Sequence, residues 1–419
     1  MRGARRVKTL PAAIVIFAWL LCSACGDPIV TSGSSGSPTL ASPADSADPD
    51  DADAIQRASE MEHELFATGL VVTDDPALAT YLEAVARRLS PGRNYRIGVL
   101  RDPGVNAMAL ANGSIFVFAG AVGGFENEAQ LAFLLCHEMA HIELRHAASA
   151  YRNFKARAVT AQFEDMALGG IATPLVRRTF AASLASYSRE QEEEADRNAL
   201  PRLAAAGYPA EEAERSFALT PDLETQHSGL QYASHPTTAA RIEYLHALAA
   251  ASGALVRGTS TNVERYRTAT SRIALRSIEW AIGARLYERA ASDAQRELVR
   301  GNKDARLYAL LGEAHRMTAE DPDGAVLEAA LRRGVAADAS MMASYRSRAT
   351  AERAQARDLF RQALIHEPTL SLAHRGLGLV ARADGDLQTA RRELGLYLND
   401  PGPLPDRMFV EKLLEEKKQ

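Results

Sequence analysis

The chain has 419 residues, of which 47% are hydrophobic and 24% charged, so it has ordinary globular composition and room for two or three domains. Its net charge of −5 excludes the strongly basic balance of a nucleic-acid-binding protein. Aromatic residues are scarce, at 6%, which favours helices over a large sheet. The three cysteines, two of them near the N-terminus, exclude a disulfide framework.

The N-terminus has the pattern of a secretory leader. Basic residues between Arg2 and Lys8 precede an apolar run, Pro11–Leu21, that is too short to span a membrane. The run leads to Ser23-Ala24-Cys25, which resembles a bacterial lipoprotein cleavage site with Cys25 as the lipidated residue. Cys22 stands where such a site has an aliphatic residue, and cleavage by an ordinary signal peptidase is the alternative. We predict a signal peptide over residues 1–25.

The next segment, residues 26–54, has the composition of a linker. It is rich in Ser, Gly, Pro and Asp, and it contains six aspartates but no lysine or arginine. Such a segment buries too little apolar surface to offset the entropy that it would lose on ordering. We predict a disordered acidic tether that keeps the folded part of the chain away from a membrane surface.

Helices and short strands are predicted for the part that follows. The spacing of apolar residues predicts helices over 55–70 and Pro76–Leu89, and a long apolar helix from Asn127 to about Ala150. Asn112-Gly113 is a strong turn signal between two strand-like runs. The predicted strands cover residues 95–100, 107–110 and 114–118.

The long helix carries the sequence His137-Glu138-Met139-Ala140-His141. Residues four apart lie on one face of a helix, so His137 and His141 can bind the same metal ion. Glu138 can reach a water molecule on that metal and act as a general base, the arrangement of zinc hydrolases. The alternative is a chance pattern on a solvated helix face, but the apolar run over 131–136 indicates a buried helix.

A zinc hydrolase of this kind needs a third protein ligand, and a second helix, predicted over 186–206, can supply it. Glu192 and Asp196 are four residues apart and therefore share a face. We predict that Glu192 binds the metal and that Asp196 accepts a hydrogen bond from a ligand histidine, which would fix the orientation of that ring. The alternative is a solvated acidic patch, the interpretation that we give to Glu190, Glu193 and Glu194.

Beyond residue 262 the chain is predicted to be almost wholly helical, with a period near 34 residues. Leu377-Gly378, Ala390 and Leu394 match the pattern of a tetratricopeptide repeat, and Ala356 and Phe360 match the second helix of an earlier copy. We predict about four degenerate repeats whose concave face binds a protein partner. An ordinary helical bundle is the alternative.

Taken in order, motifs between Asp75 and Leu245 resemble the gluzincin peptidases that include the CAAX prenyl protease, HtpX and the periplasmic BepA-type proteases. The resemblance rests on His137-Glu138-x-x-His141, on Glu192-x-x-Ala195-Asp196 and on Ser234-His235-Pro236-Thr237 with Arg241. The further matches are Val105–Ala109 and Gly113–Val117. The helical repeats after this region further resemble the BepA-type branch.

The resemblance also implies roles near the metal for two residues. His235 would donate to the oxyanion or bind zinc as a fourth ligand in a latent state, and a loop or capping histidine is the alternative. Arg241 would stabilise the oxyanion or pair with an acidic residue.

These patterns predict an α+β, mainly α fold with a zinc-protease domain over 55–255 and a helical repeat domain over 262–419. We expect one Zn²⁺ per chain and an endopeptidase that cleaves misfolded or assembling envelope proteins, for quality control or maturation. The alternative is a chaperone or assembly factor with a latent protease site. We further expect a periplasmic location, a lipid anchor at the membrane and no nucleic-acid partner.

Overall fold

A computed structural model describes residues 49–152, 187–219, 239–251 and 258–415. These residues form helices and one small sheet, which confirms the predicted α+β, mainly α fold. The leader with Cys25, most of the tether and the segment with His235 lie outside the described residues. Among the helices of the described ranges, none combines the length and apolar character that a membrane span requires.

The part of the chain before residue 258 holds the sheet, seven helices whose full bounds lie in the described ranges, a helical segment over 146–152 and a short 3-10 helix, Ser216–Leu219. The strands are β1 (Arg96–Leu100), β2 (Ala107–Ala109) and β3 (Ser114–Phe118). The helices are α1 (Pro49–Ala67), α2 (Pro76–Leu89), α3 (Ala119–Gly124), α4 (Glu128–Glu143), α5 (Arg189–Ala205), α6 (Glu211–Arg215) and α7 (Ala239–Ala251).

Helix α1 begins earlier than the sequence predicts, at Pro49, so residues 49–54 are helical and not part of a disordered tether. Asp51 is buried, and its carboxylate pairs with Arg145, at 2.6 Å, and with Arg152. The composition of the segment indicated disorder because it has little apolar surface to bury, and it contains no basic residue that could pair with Asp51. Its partners lie about a hundred residues further along the chain, where local reasoning cannot find them.

The helix α4 ends at Glu143, short of the predicted end near Ala150. Arg145 has a φ of +56°, in the left-handed region, and a second helical segment over 146–152 follows it. The sequence gives no glycine or proline at this break, which explains why a continuous helix was expected. The break redirects the chain directly after the predicted metal-binding motif.

The sheet has the order β1-β3-β2, with β3 parallel to β1 and antiparallel to β2. Gly113 provides the predicted turn between β2 and β3, with a φ of +85°. Inward-facing Ile115 and Val117 of β3 share one hydrophobic core with Leu131 and Leu135 of α4. This core fixes the position of α4 relative to the sheet.

After residue 258 the described chain consists of helices joined by short turns. Phe360 packs against Gly312 and Gly376, and a Cβ atom on Gly376 would lie 2.1 Å from its ring. Both glycines therefore lie where two helices approach each other closely. The tetratricopeptide assignment itself stays a prediction. The helices are α8 (Val263–Gly283), α9 (Tyr287–Val299), α10 (Ala305–Glu320), α11 (Pro322–Arg332), α12 (Ala339–His366), α13 (Ser371–Ala383), α14 (Leu387–Leu398) and α15 (Arg407–Glu415).

Helix α8 belongs to both parts of the molecule. Its residues Tyr266 and Ile273 lie in the core that contains α4, whereas Leu275 and Ile278 lie in the first core of the helical array. Gly123 of α3 allows the close approach, because a Cβ atom there would lie 2.7 Å from the Cα of Ala274. The boundary predicted near residue 262 is thus crossed by continuous packing.

The packing of Phe360 gives a first prediction. Gly376→Ala places a methyl group into the ring of Phe360, so we expect the free energy of unfolding to fall by about 1–3 kcal/mol. Gly395→Ala, in the neighbouring α14, is the matched control, because a Cβ atom there has no atom within 4 Å among the described residues. The control should keep or slightly raise stability. Equal urea midpoints for the two variants would contradict this packing.

Candidate metal centre

His137 and His141 lie on α4, a helix that is buried along almost its whole length, so both side chains face the interior of the domain. Asn127 caps its N-terminus by accepting hydrogen bonds from the backbone N–H groups of Ala129 and Gln130. His137 and His141 are both buried, and their Nε2 atoms lie 3.0 Å apart. Two imidazole nitrogens directed at one point are therefore fixed by the core of the domain.

Helix α5 brings a carboxylate to the same point. Ser188 and Gln191 form a capping box at its N-terminus, and Glu192 follows with a buried side chain. One oxygen of Glu192 lies 3.4 Å from the Nε2 of His137, and the other lies 3.5 Å from the Nε2 of His141. The helix continues through Pro201, beyond the residues of the centre.

The donor atoms fit a zinc ion in number, type and spacing. His137, His141 and Glu192 each offer a ligand atom, and these atoms lie within 4.8 Å of one another. Tetrahedral bonds of about 2.0–2.1 Å place two ligand atoms about 3.4 Å apart, close to the observed separations. Two histidines and a carboxylate are also a ligand set of catalytic zinc sites, in which a fourth position stays open for water.

The charges of the buried side chains point to a divalent cation as well. Glu138, Glu192 and Asp196 are buried carboxylates, and the guanidinium of Arg241 is buried among them. When ionised, these four groups leave two negative charges in a region that excludes water. Buried charge is costly unless it is paired, and a divalent cation would balance it.

Asp196 lies at the position predicted from its spacing to Glu192. Its Oδ1 is 2.9 Å from the Nδ1 of His137, on the side of that ring opposite to the ligand atoms. Burial raises the pKa of the Asp196 carboxyl, but the charge and hydrogen bonds of Arg241 outweigh it, so the pKa lies below its ordinary value. An ionised Asp196 can hold His137 in the tautomer whose Nε2 is free to bind a metal.

Arg241, on α7, contacts acidic residues on two sides. Its Nε and Nη2 donate to the two oxygens of Asp196, each at 2.8 Å, and its Nη1 lies 2.8 Å from Glu192. Its guanidinium also lies over the ring of Phe217, 4.9 Å from the ring centre. Of the two roles that the sequence left open, these contacts favour pairing with acidic residues over direct contact with a substrate.

Arg241, Asp196 and Glu192 also change the pKa of His137. Burial and the charge of Arg241 lower the pKa of His137, but the hydrogen bonds to Asp196 and Glu192 outweigh them and raise it to about 9. The ring of His137 is therefore held mainly by its carboxylate partners. This is the direction expected for a histidine between two buried acids.

Sequence reasoning missed two aromatic residues of the centre. Tyr187 stacks on the ring of His141, with the ring centres 3.9 Å apart, and Phe217 packs edge-on against Phe133 of α4. Tyr187 lies one residue before the cap of α5, and Phe217 lies in the 3-10 helix. A single aromatic residue next to a helix end gives no signal that distinguishes it from ordinary packing.

The two glutamates that follow Glu192 have different partners. Glu193 is partly exposed and pairs with Arg189, as expected of a solvated helix face. Glu194 lies 3.3 Å from the Nε2 of His146, so its carboxylate has a partner that the sequence did not indicate. His235 lies outside the described residues, and its predicted role at the metal stays a prediction.

This centre, with a third ligand on a second helix, defines a class of protein, the metallopeptidases with an HExxH helix. Residues 73–249 match the family model of peptidase family M48. This match agrees with the resemblance of the same part of the chain to gluzincin peptidases.

Individual relatives support the same assignment. The metalloprotease YcaL of Escherichia coli is 27% identical over 205 residues, which are 46% of this chain and 79% of YcaL. The beta-barrel assembly-enhancing protease of E. coli K12 is 26% identical over 152 residues, 32% of this chain and 31% of that protein. The bovine mitochondrial metalloendopeptidase OMA1 is 36% identical over 102 residues, 22% of this chain and 20% of OMA1. The chain thus spans about a third or less of the last two relatives.

The choice of ligand gives a second prediction. Glu192→Ala removes one of three protein ligands, so we expect purified protein to lose most of its bound zinc, measured by elemental analysis. Glu193→Ala, the next residue on the same helix, is the control and should keep a full equivalent of zinc. Equal zinc content in the two variants would show that Glu192 is not a ligand.

The buried arginine gives a third prediction. Arg241→Met removes the positive charge between Asp196 and Glu192, so we expect a loss of about 3–5 kcal/mol in the free energy of unfolding, measured with urea. Arg189→Met removes an exposed ion pair and should change stability by less than about 0.5 kcal/mol. A small effect of Arg241→Met would mean that the acids do not depend on this pairing.

Proposed function

We propose that this protein is a zinc-dependent endopeptidase. The observation that carries the proposal is the convergence of His137, His141 and Glu192 in a buried cluster, with Glu138 next to the first ligand on the same helix. The match of residues 73–249 to peptidase family M48 supports the same activity. A purely structural metal site would have no use for a buried glutamate beside its first ligand.

Each buried residue then has a defined task. A zinc ion bound here would supply an activated water molecule and polarise the carbonyl group of the scissile peptide bond. Glu138 accepts the proton of that water and passes it to the leaving amine. Asp196 holds His137, and Arg241 holds Asp196 and Glu192, so Arg241 acts as a positioning residue in this proposal.

The sheet indicates where an extended substrate can bind. Two strands near α4 are candidates, β2 and β3. Since β3 pairs with a strand on each side, it has no open edge, whereas β2 (Ala107–Ala109) lies at an edge of the sheet and next to α4. We infer that a peptide substrate adds alongside β2, where main-chain hydrogen bonds would present its carbonyl groups to the centre.

The leader and the relatives support a place in the bacterial cell envelope. One relative, from E. coli, is named for enhancing beta-barrel assembly, and the N-terminal sequence of this chain predicts export and a lipid on Cys25. We therefore propose that envelope proteins are the substrates, for quality control or maturation, and that the helical array after residue 262 binds a protein partner.

In cell fractionation, Cys25→Ser should move the protein from the membrane to the soluble periplasmic fraction. Unchanged fractionation would contradict the lipid anchor.

A further prediction tests the enzymatic activity directly. Glu138→Gln removes the general base but none of the ligands, so we expect the cleavage rate of an unfolded protein such as casein to fall by about 10²–10⁴-fold. Zinc content should stay at one equivalent, which separates lost catalysis from lost metal. A variant that keeps its zinc and all of its cellular function would favour the alternative, a chaperone or assembly factor with a latent protease site.

A further inference from the structure

The second ligand histidine has a partner of its own, and this partner is another histidine. His146 is buried at the start of the helical segment 146–152, and its Nδ1 lies 2.9 Å from the Nδ1 of His141. On its far side, the Nε2 of His146 lies 3.3 Å from a carboxylate oxygen of Glu194 on α5. His141, His146 and Glu194 thus form a chain that leads from the metal centre to the surface.

The positions of the protons along this chain follow from one requirement. The Nε2 of His141 faces the other ligand atoms, so it must carry no proton when it binds a cation. A neutral imidazole then carries its proton on Nδ1, from which it can be donated to the Nδ1 of His146, 2.9 Å away. His146 in turn carries its proton on Nε2, directed at Glu194. A single arrangement of protons satisfies all three side chains.

We propose that His146 is a positioning residue for the metal centre, whose Nδ1 accepts the Nδ1 proton of His141 and so orients the ring that binds zinc. This proposal rests on the zinc site proposed above. The carboxylate of Asp196 orients His137, and the imidazole of His146 orients His141 in the same way. Hydrogen bonds of this type to a ligand histidine contribute substantially to metal affinity.

The choice of a histidine at this position has an electrostatic reason. The buried carboxylates Glu138, Glu192 and Asp196 and the guanidinium of Arg241 already leave two negative charges, which a divalent cation would balance. Another buried carboxylate beside His141 would add an uncompensated negative charge to this region. A neutral imidazole accepts the same hydrogen bond without adding charge, and the carboxylate of Glu194 stays half exposed at the end of the chain.

Helix α1 holds His146 in place. Asp51 pairs with Arg145, directly before His146, and with Arg152 at the other end of the same segment. The hydroxyl group of Tyr151 donates to Asp53, at 2.8 Å. The left-handed φ of Arg145 then turns His146 back towards α4. His146 is therefore held in place by contacts with a distant part of the chain and not by its own helical segment alone.

The test compares two substitutions of similar shape at His146, both branched at Cγ. In His146→Asn the amide oxygen can accept the proton of His141, whereas His146→Leu offers no acceptor. We expect His146→Leu to weaken zinc binding by about 10–100-fold, measured by competition with a chromophoric chelator, and His146→Asn to recover most of that loss. The visible spectrum of the Co²⁺-substituted protein should change in the Leu variant and resemble the wild type in the Asn variant. His246→Leu, at an exposed histidine on α7, is the control and should match the wild type.

The outcomes separate this proposal from the one on which it rests. If the wild type binds no zinc, the proposed function fails. If the wild type binds zinc and the Leu variant binds it equally well with the same Co²⁺ spectrum, only the role of His146 is wrong. Equal losses in the Asn and Leu variants would show that His146 fills space and does not accept a proton. Thermal unfolding of the metal-free proteins identifies a variant that fails to fold, and a Leu variant that alone fails to fold would also overturn the proposal.

Discussion

The charge balance around Arg241 is the constraint on which the centre depends. Three carboxylates and two imidazoles meet in a region that excludes water, and Arg241 contacts two of those carboxylates. Carboxylates are tolerated in such a region only when they are paired. Arg241 lies on α7, whereas Asp196 and Glu192 lie on α5 and the histidines on α4. The guanidinium therefore joins three helices at the point where the metal ligands converge.

The rest of the fold places and supports this point. The sheet packs against one side of α4, and α8 of the helical array contributes Tyr266 and Ile273 to the same core. The hydroxyl group of Tyr266 donates to the carbonyl of Val122 in α3, close to the start of α4. Because α8 contributes residues to two cores, the helical array packs directly against the part of the chain that holds His137 and His141. The peptidase domain and the helical array are thus physically continuous.

Local sequence signals predicted much of the fold and the residues that the structure brings together in the candidate metal centre. The helix Pro76–Leu89 was predicted with its observed ends from the spacing of its apolar residues, and β3 was predicted with its observed ends after the Asn112-Gly113 turn. Glu192 and Asp196 were found because spacing along one helix places both on one face. In each case the determining interactions lie within a few residues of one another.

Contacts between distant parts of the chain could not be predicted in this way. The pairing of Asp51 with Arg145 and Arg152, which turns part of the expected tether into a helix, spans about a hundred residues. The sequence predicted a continuous helix through Arg145, but the left-handed φ of this residue, where there is no glycine or proline, follows the end of α4 at Glu143. Charge pairing and backbone reversal of this kind are settled by tertiary packing, for which a single sequence carries no periodic signal.

X-ray absorption at the zinc edge of the purified, zinc-loaded protein tests the central claim most directly. The account predicts one zinc per chain with only nitrogen and oxygen ligands at about 2.0–2.1 Å and with the multiple scattering of two imidazole rings. A sulfur ligand at about 2.3 Å, a spectrum without imidazole scattering, or a protein that binds no zinc would contradict it.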